Sequence, residues 1–129
     1  MKSSVTLVLL AAIAILGCSS GTSSDLGQVN GQVMLDGKPL PNAQVQFQPT
    51  QGRPSYGLTD SDGKFTLQYT GSATGALIGN HTVSFTTAIS QDDGKVAPEL
   101  VPSKYNVKSD IQKEVQAGEN QFEFELATR

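Results

Sequence analysis

The chain has 129 residues and a formal net charge of −3, from 12 Asp and Glu against 9 Lys and Arg. Mild acidity of this kind argues against nucleic acid and against direct adhesion to anionic lipid headgroups, since both reward clustered cations. A single cysteine, Cys18, excludes an internal disulfide, and 6% aromatic residues with no tryptophan leave an aliphatic core whose large pieces are five phenylalanines.

Lys2, an apolar run from Val5 to Leu16 and a small residue ahead of Cys18 form a secretory signal. The run is too short for a transmembrane helix, which needs about 20 apolar residues. A plain signal peptide tolerates a cysteine after its cleavage site but seldom places one directly behind such an ending. Ile15-Leu16-Gly17-Cys18 resembles the lipobox of bacterial lipoproteins. The resemblance implies a signal peptide over residues 1–17, cleavage after Gly17, a diacylglyceryl group on the Cys18 sulfur and acylation, as with palmitate, of its new amino group. Membrane attachment through Cys18 would be stable, because each buried methylene is worth about 0.8 kcal/mol and two or three chains exceed the marginal hold of one. Removing residues 1–17 takes away Lys2 alone, so the formal charge moves from −3 to −4.

Residues 18–27 follow as a lipidated cysteine and a tether. Ser19-Ser20-Gly21-Thr22-Ser23-Ser24 is too small and polar to pack, and reads as a flexible coil with a reach of about 15–20 Å. In well-studied lipoprotein sorting an Asp after the cysteine retains the protein in the inner membrane. Ser19 therefore leans toward the outer membrane of the cell envelope.

Residues 28–129, one domain in size, show period-two alternation. Val29, Gly31, Val33 and Leu35 alternate with polar neighbours, and Asp36-Gly37 supplies the positive φ of a tight turn. Ala43, Val45 and Phe47 alternate with Gln44, Gln46 and Gln48 in a second strand. Tyr56 to Thr59 and Phe65, Leu67 and Tyr69 flank Asp60-Ser61-Asp62-Gly63, which reads as a hairpin. A strand is expected from about His81 to Ile89, another near Ile111 to Val115, and a last one with Phe122, Phe124 and Leu126 inward. After the signal no window sustains a helical period, so the domain is expected to be an all-β sandwich.

The run Val29-Asn30-Gly31-Gln32-Val33 through Asp36-Gly37-Lys38-Pro39-Leu40 and Ala43-Gln44-Val45, then Thr59-Asp60-Ser61-Asp62-Gly63-Lys64-Phe65, resembles a carboxypeptidase regulatory-like domain. Gly79-Asn80-His81-Thr82-Val83 matches that family's Gly-x-Tyr-x-Val strand. Val101-Pro102-Ser103-Lys104-Tyr105-Asn106, with Gly118-Glu119-Asn120, is similar to its short lipoprotein branch in planctomycete-type bacteria. The resemblance implies a seven-stranded antiparallel Greek-key β-sandwich, transthyretin-like (prealbumin-like). These are turn and core motifs, and they specify fold more than function.

Sites of chemistry are sparse. Asp60-Ser61-Asp62-Gly63 has the Asp-x-Asp-Gly of a calcium loop but lacks the flanking oxygen ligands and the closing Glu, so it reads as a turn and no metal or other cofactor is expected. His81, the one histidine, shares a face with Val83 and Phe85 and reads as a partly buried or edge imidazole, without the companions a metal site or a catalytic base would need. No serine stands in a nucleophile-elbow motif, so an enzyme is not expected. The hydroxyisourate hydrolase of the same superfamily uses several histidines and a C-terminal Tyr-Arg-Gly-Ser, whereas this chain ends Leu126-Ala127-Thr128-Arg129. The first strand contains no lysine for a Lys–Asn isopeptide bond of the adhesin kind.

The connection from Ser90 to Lys104, with Pro98 and Pro102, is long for a sandwich. It supplies the candidate partner-contact residues Asp92, Asp93, Lys95, Glu99, Lys104 and Tyr105. Tyr105 is expected to anchor the connection, its hydroxyl meeting a backbone group. The residues fit a non-catalytic envelope lipoprotein serving as a structural or protein-interaction module. The alternative, a small-ligand or glycan-binding module, requires an exposed aromatic pair, such as Tyr56 with Tyr105, or a convergent polar pocket.

Overall fold

A computed structural model describes residues 25–129. The signal peptide, Cys18 and the tether as far as Ser24 lie outside the described residues. Strand β1 (Leu26–Leu35) begins two residues ahead of the expected domain start and buries Val29, Gly31 and Val33 on one face. It turns at Asp36 (φ 53°) and Gly37 (φ 82°) into β2 (Lys38–Pro39), with Leu35 paired to Lys38. Positive φ at both central residues is the geometry that matches the right-handed twist of the flanking strands.

Nine further strands follow among the described residues: β3 (Gln44–Pro49), β4 (Ser55–Leu58), β5 (Lys64–Thr66), β6 (Gln68–Thr70), β7 (Ala73–Thr74), β8 (Ala76–Leu77), β9 (Gly79–Thr86), β10 (Ile111–Val115) and β11 (Glu119–Leu126). They make two sheets of a sandwich. In the first, β1 has β11 on one side and β8, β5 and β2 on the other; the second runs β10-β9-β3-β4-β6-β7.

The all-β sandwich is as expected, with four corrections in detail. The pairing is not antiparallel throughout, because β1 and β11 are parallel over eight residue pairs, from Gln28 with Glu119 to Leu35 with Leu126. The rest of the chain supplies the long crossover a parallel pair requires. The Asp60–Gly63 turn closes tightly, with Gly63 N–H on Asp60 O at 2.9 Å, but its arms part company: β4 pairs β3 and β6, while β5 pairs β1. The turn therefore hands the chain from one sheet to the other. The strand after His81 ends at Thr86 rather than Ile89, where Thr87 and Ile89 enter a different set of hydrogen bonds. Among the described residues eleven strands stand where seven were expected, since pieces as short as β2, β7 and β8 contain no alternation to read.

Between the sheets Val29 and Val33 meet Val45, Phe47, Val83 and Phe85. Phe124 sits at the centre, its ring 5.0 Å from Phe85 in an edge-on contact and 6.3 Å from both Phe47 and Phe65. Phe122 is half-buried at the rim. His81 is buried more deeply than the partly buried or edge imidazole expected, because it lies on the inner face of β9 with Val83 and Phe85: Nε2 donates to Leu77 O at 2.6 Å, and the ring lies 5.6 Å from Phe47. Its Nδ1 has no partner among the described residues.

Candidate functional site

Hydrogen bonds sort the loops into two ends. At one end Asp25 O accepts from Ile78 N (2.9 Å) and Gly118 O from Gln28 N (2.8 Å), so the start of β1 lies beside the β8–β9 and β10–β11 links. At the other, Val33 N donates to Gly63 O (2.8 Å), Thr59 Oγ1 to Leu40 O (2.6 Å) and Asp36 N to Leu126 O (2.8 Å), while Gln44 pairs Thr86. The Asp36-Gly37 and Asp60–Gly63 turns, the end of β9 and the long connection thus gather at the end remote from Asp25.

The connection is built, not floppy. Ser90 bridges Val96, and Gln91 N donates to Lys95 O (2.8 Å), forming a miniature hairpin whose tip is Asp92-Asp93-Gly94. Asp93 Oδ1 accepts from Lys95 N (2.9 Å). Asp92, Asp93 and Lys95 are exposed at this tip. Glu99 turns back: its carboxylate accepts from Thr86 Oγ1 (2.6 Å), Thr87 N (2.8 Å), Thr87 Oγ1 (3.0 Å) and Asn106 Nδ2 (2.6 Å). Partial burial alone would raise this carboxyl. The bonds from Thr86, Thr87 and Val101 outweigh that and hold it below the usual carboxylate value. Glu99 is thereby the peg that fixes the connection to the end of β9.

Lys104 and Tyr105 lie in a short 3-10 turn, Ser103–Tyr105, with Lys104 Nζ 5.0 Å from the centre of the Tyr105 ring. Tyr105 packs on the core, and its hydroxyl accepts from Ala127 N at 3.2 Å. Of the six residues named from sequence, three are therefore at an exposed tip and three on the return limb that ties the connection down.

What the connection creates is an apolar groove of about 480 Å³ against the β2–β3 link and β4, lined by Pro41, Leu58, Ile89, Ala97, Pro98 and Leu100 among others. Leu58 and Leu100 are 59% and 53% exposed. Sequence reasoning passed over these residues because it sought charge at the tip. The available signal was Leu58, which alternation sets opposite buried Ser55, Gly57 and Thr59.

A second concavity, polar and about 710 Å³, lies on the solvent side of the first sheet, with Asn30, Gln32, Lys64, Thr66, Gln121 and Glu123 among its lining. Several of these groups bond one another or the backbone, as with Thr66 Oγ1 on Asn30 Oδ1 (2.6 Å) and Gln32 Nε2 on Asp62 O (2.9 Å). The Asp60 carboxylate is spent on its own turn. Oδ1 accepts from Lys64 N (2.9 Å) and Asp62 N (2.8 Å), and these bonds hold the acid below its usual value. Tyr56 is exposed on β4 while Tyr105 is engaged with Ala127, so the two rings do not form a stacking platform.

No family model matches the chain, and no curated protein matches it. Among solved structures it is similar to a DUF3823 family protein from Parabacteroides merdae, at a TM-score of 0.47 and 12% identity, over 81% of this chain and 47% of that one. It is also similar to a 9R-lipoxygenase from Cyanothece, at a TM-score of 0.41 and 15% identity, over 90% of this chain and 18% of that one. The chain spans about half the length of the first and less than a fifth of the second.

Proposed function

We propose that the protein is a non-catalytic lipoprotein of the cell envelope. Lipidated Cys18 anchors it, and a carboxypeptidase regulatory-like sandwich offers its remote end to a protein partner. The observation that carries this reading is the opposition of two ends: the chain enters at Asp25, and the apolar groove with Leu58 and Leu100 lies at the other. A short tether would hold the first end near the lipid and leave the second facing outward. The groove suits an apolar side chain of a partner, because exposed leucines in a concave surface gain from desolvation by about 25 cal/mol per Å² buried.

Two measurements test the two halves of the proposal. Labelled palmitate should enter the wild-type protein and not Cys18→Ser; an unlabelled wild type defeats the anchor. A photo-crosslinking residue at position 100 should capture a protein in intact cells while the same residue at position 78, near the entry end, should not. Equal capture at both positions, or none, defeats the remote contact site. Leu100→Asp should abolish capture at a neighbouring probe without lowering the melting temperature.

The polar concavity favours a second reading, glycan binding, since clustered amides and carboxylates suit hydroxyl-rich ligands. Titration of soluble envelope glycan fragments, followed at the amides of Asn30, Thr66 and Gln121, would show shifts on that reading and none on the first.

A further inference from the structure

Two hydrogen bonds reveal which backbone groups of β11 face β1. Leu126 O accepts from Asp36 N and Gly118 O from Gln28 N, each at 2.8 Å, so even-numbered residues turn toward β1. Backbone direction alternates along a strand, so Glu119, Gln121, Glu123 and Glu125 turn their N–H and C=O groups the other way. On that side β11 is the end of its sheet, and no described residue pairs with it. Ala127 continues the odd-numbered series, and its N–H is met by the Tyr105 hydroxyl at 3.2 Å. Tyr105 therefore closes one end of an open row four residues long.

The neighbouring edge is treated differently. On β10 the half-buried Lys113 reaches inward, with Nζ 5.9 Å and 5.8 Å from the ring centres of Phe122 and Phe124. An inward-pointing charge of this kind guards an edge against added strands. The open row of β11 carries no proline, no bulge and no lysine.

We propose that the free edge of β11 accepts an extended segment of a partner protein whose side chains alternate basic and apolar. Backbone pairing supplies the attachment and side chains supply the choice. The exposed side chains of the open row are Glu119, Gln121, Glu123 and Glu125, with no cation among them, so cationic side chains are favoured on that face. The alternate side chains of the added strand would fall on the inner side, beside half-buried Phe122 and the Lys113 ammonium over its ring, where a cation is repelled and an apolar group is favoured. A second copy is disfavoured, because pairing β11 with itself would set glutamates against glutamates or Gln121.

Hydrogen exchange on the full-length protein in non-ionic micelles tests this, with a blocked short peptide alternating lysine and valine and a matched peptide alternating glutamate and valine. The lysine peptide should slow exchange at Glu119, Gln121, Glu123 and Glu125 by about tenfold or more; the glutamate peptide should not. Gln121→Pro should abolish the effect, since it removes a donor on the open side where proline is tolerated. Should that variant misfold, Glu123→Lys with Glu125→Lys should reverse the preference between the peptides. The proposal is overturned if those amides already exchange slowly in the peptide-free protein, with light scattering then separating a dimer from self-coverage by residues 1–24. It is equally overturned if the lysine peptide leaves the four amides unchanged.

Discussion

Phe124 decides the register of the last strand. With Phe124 4% exposed and in contact with four other phenylalanines, Glu123 and Glu125 face solvent; a slip of one residue would drive both carboxylates into the core. Phe124→Ala is expected to cost about 3–5 kcal/mol, read as a lowered urea midpoint with an unchanged slope. Glycines 37 and 63 make a second residue-scale contrast. Both have positive φ, but a Cβ at Gly37 would meet nothing within 4 Å, whereas at Gly63 it would lie 2.4 Å from Val33 O. Gly37→Asn should be nearly neutral, because asparagine tolerates the left-handed region. Gly63→Ala should cost about 2 kcal/mol or more from strain and clash. Equal melting temperatures for the two variants would refute this.

At the scale of elements, the long connection divides into a tip and a peg. Excising Gln91–Lys95 removes a hairpin that touches little else, and should lower the melting temperature by only a few degrees. Losing the peg should cost more. The Glu99 carboxyl is held lower in the folded protein than in the unfolded chain, so its contribution is fully present above about pH 4.3 and fades as pH falls through the folded value. Asp36, held down by the amide and hydroxyl of Thr128, and Asp60, held down by the amides of Lys64 and Asp62, act in the same direction. Glu99→Gln should therefore be less stable than wild type at pH 7, with the gap narrowing toward pH 3. A constant gap across that range would show that the charge is not what the threonines bind. This distinction was hidden in the sequence, where Glu99 and Asp92 look alike; only the return of the chain past Thr86 and Thr87 separates an anchoring acid from a solvated one.

At the scale of the molecule, strand faces were legible wherever alternation ran for five residues or more, as in β1, β3 and β11. Sheet membership was not. The Asp60–Gly63 turn has hairpin chemistry, yet which sheet receives β5 depends on β1, more than thirty residues earlier. The groove was illegible for the same reason, since Leu58 and Leu100 meet only through the fold. Removing Glu119–Arg129 should abolish cooperative unfolding, because β1 would lose its whole partner on one side and the core would lose Phe124. A retained sharp transition would show β11 to be an accessory. The parallel pairing of β1 with β11 has a consequence for biogenesis as well. Asp36 and Thr128, 92 positions apart, are joined through both carboxylate oxygens of the aspartate. The strand made first among the described residues thus waits for the one made last, so β1 lacks its parallel neighbour until the segment that forms β11 has been synthesised. Topology alone delays closure, because a pairing this distant in sequence must form before the first sheet is complete.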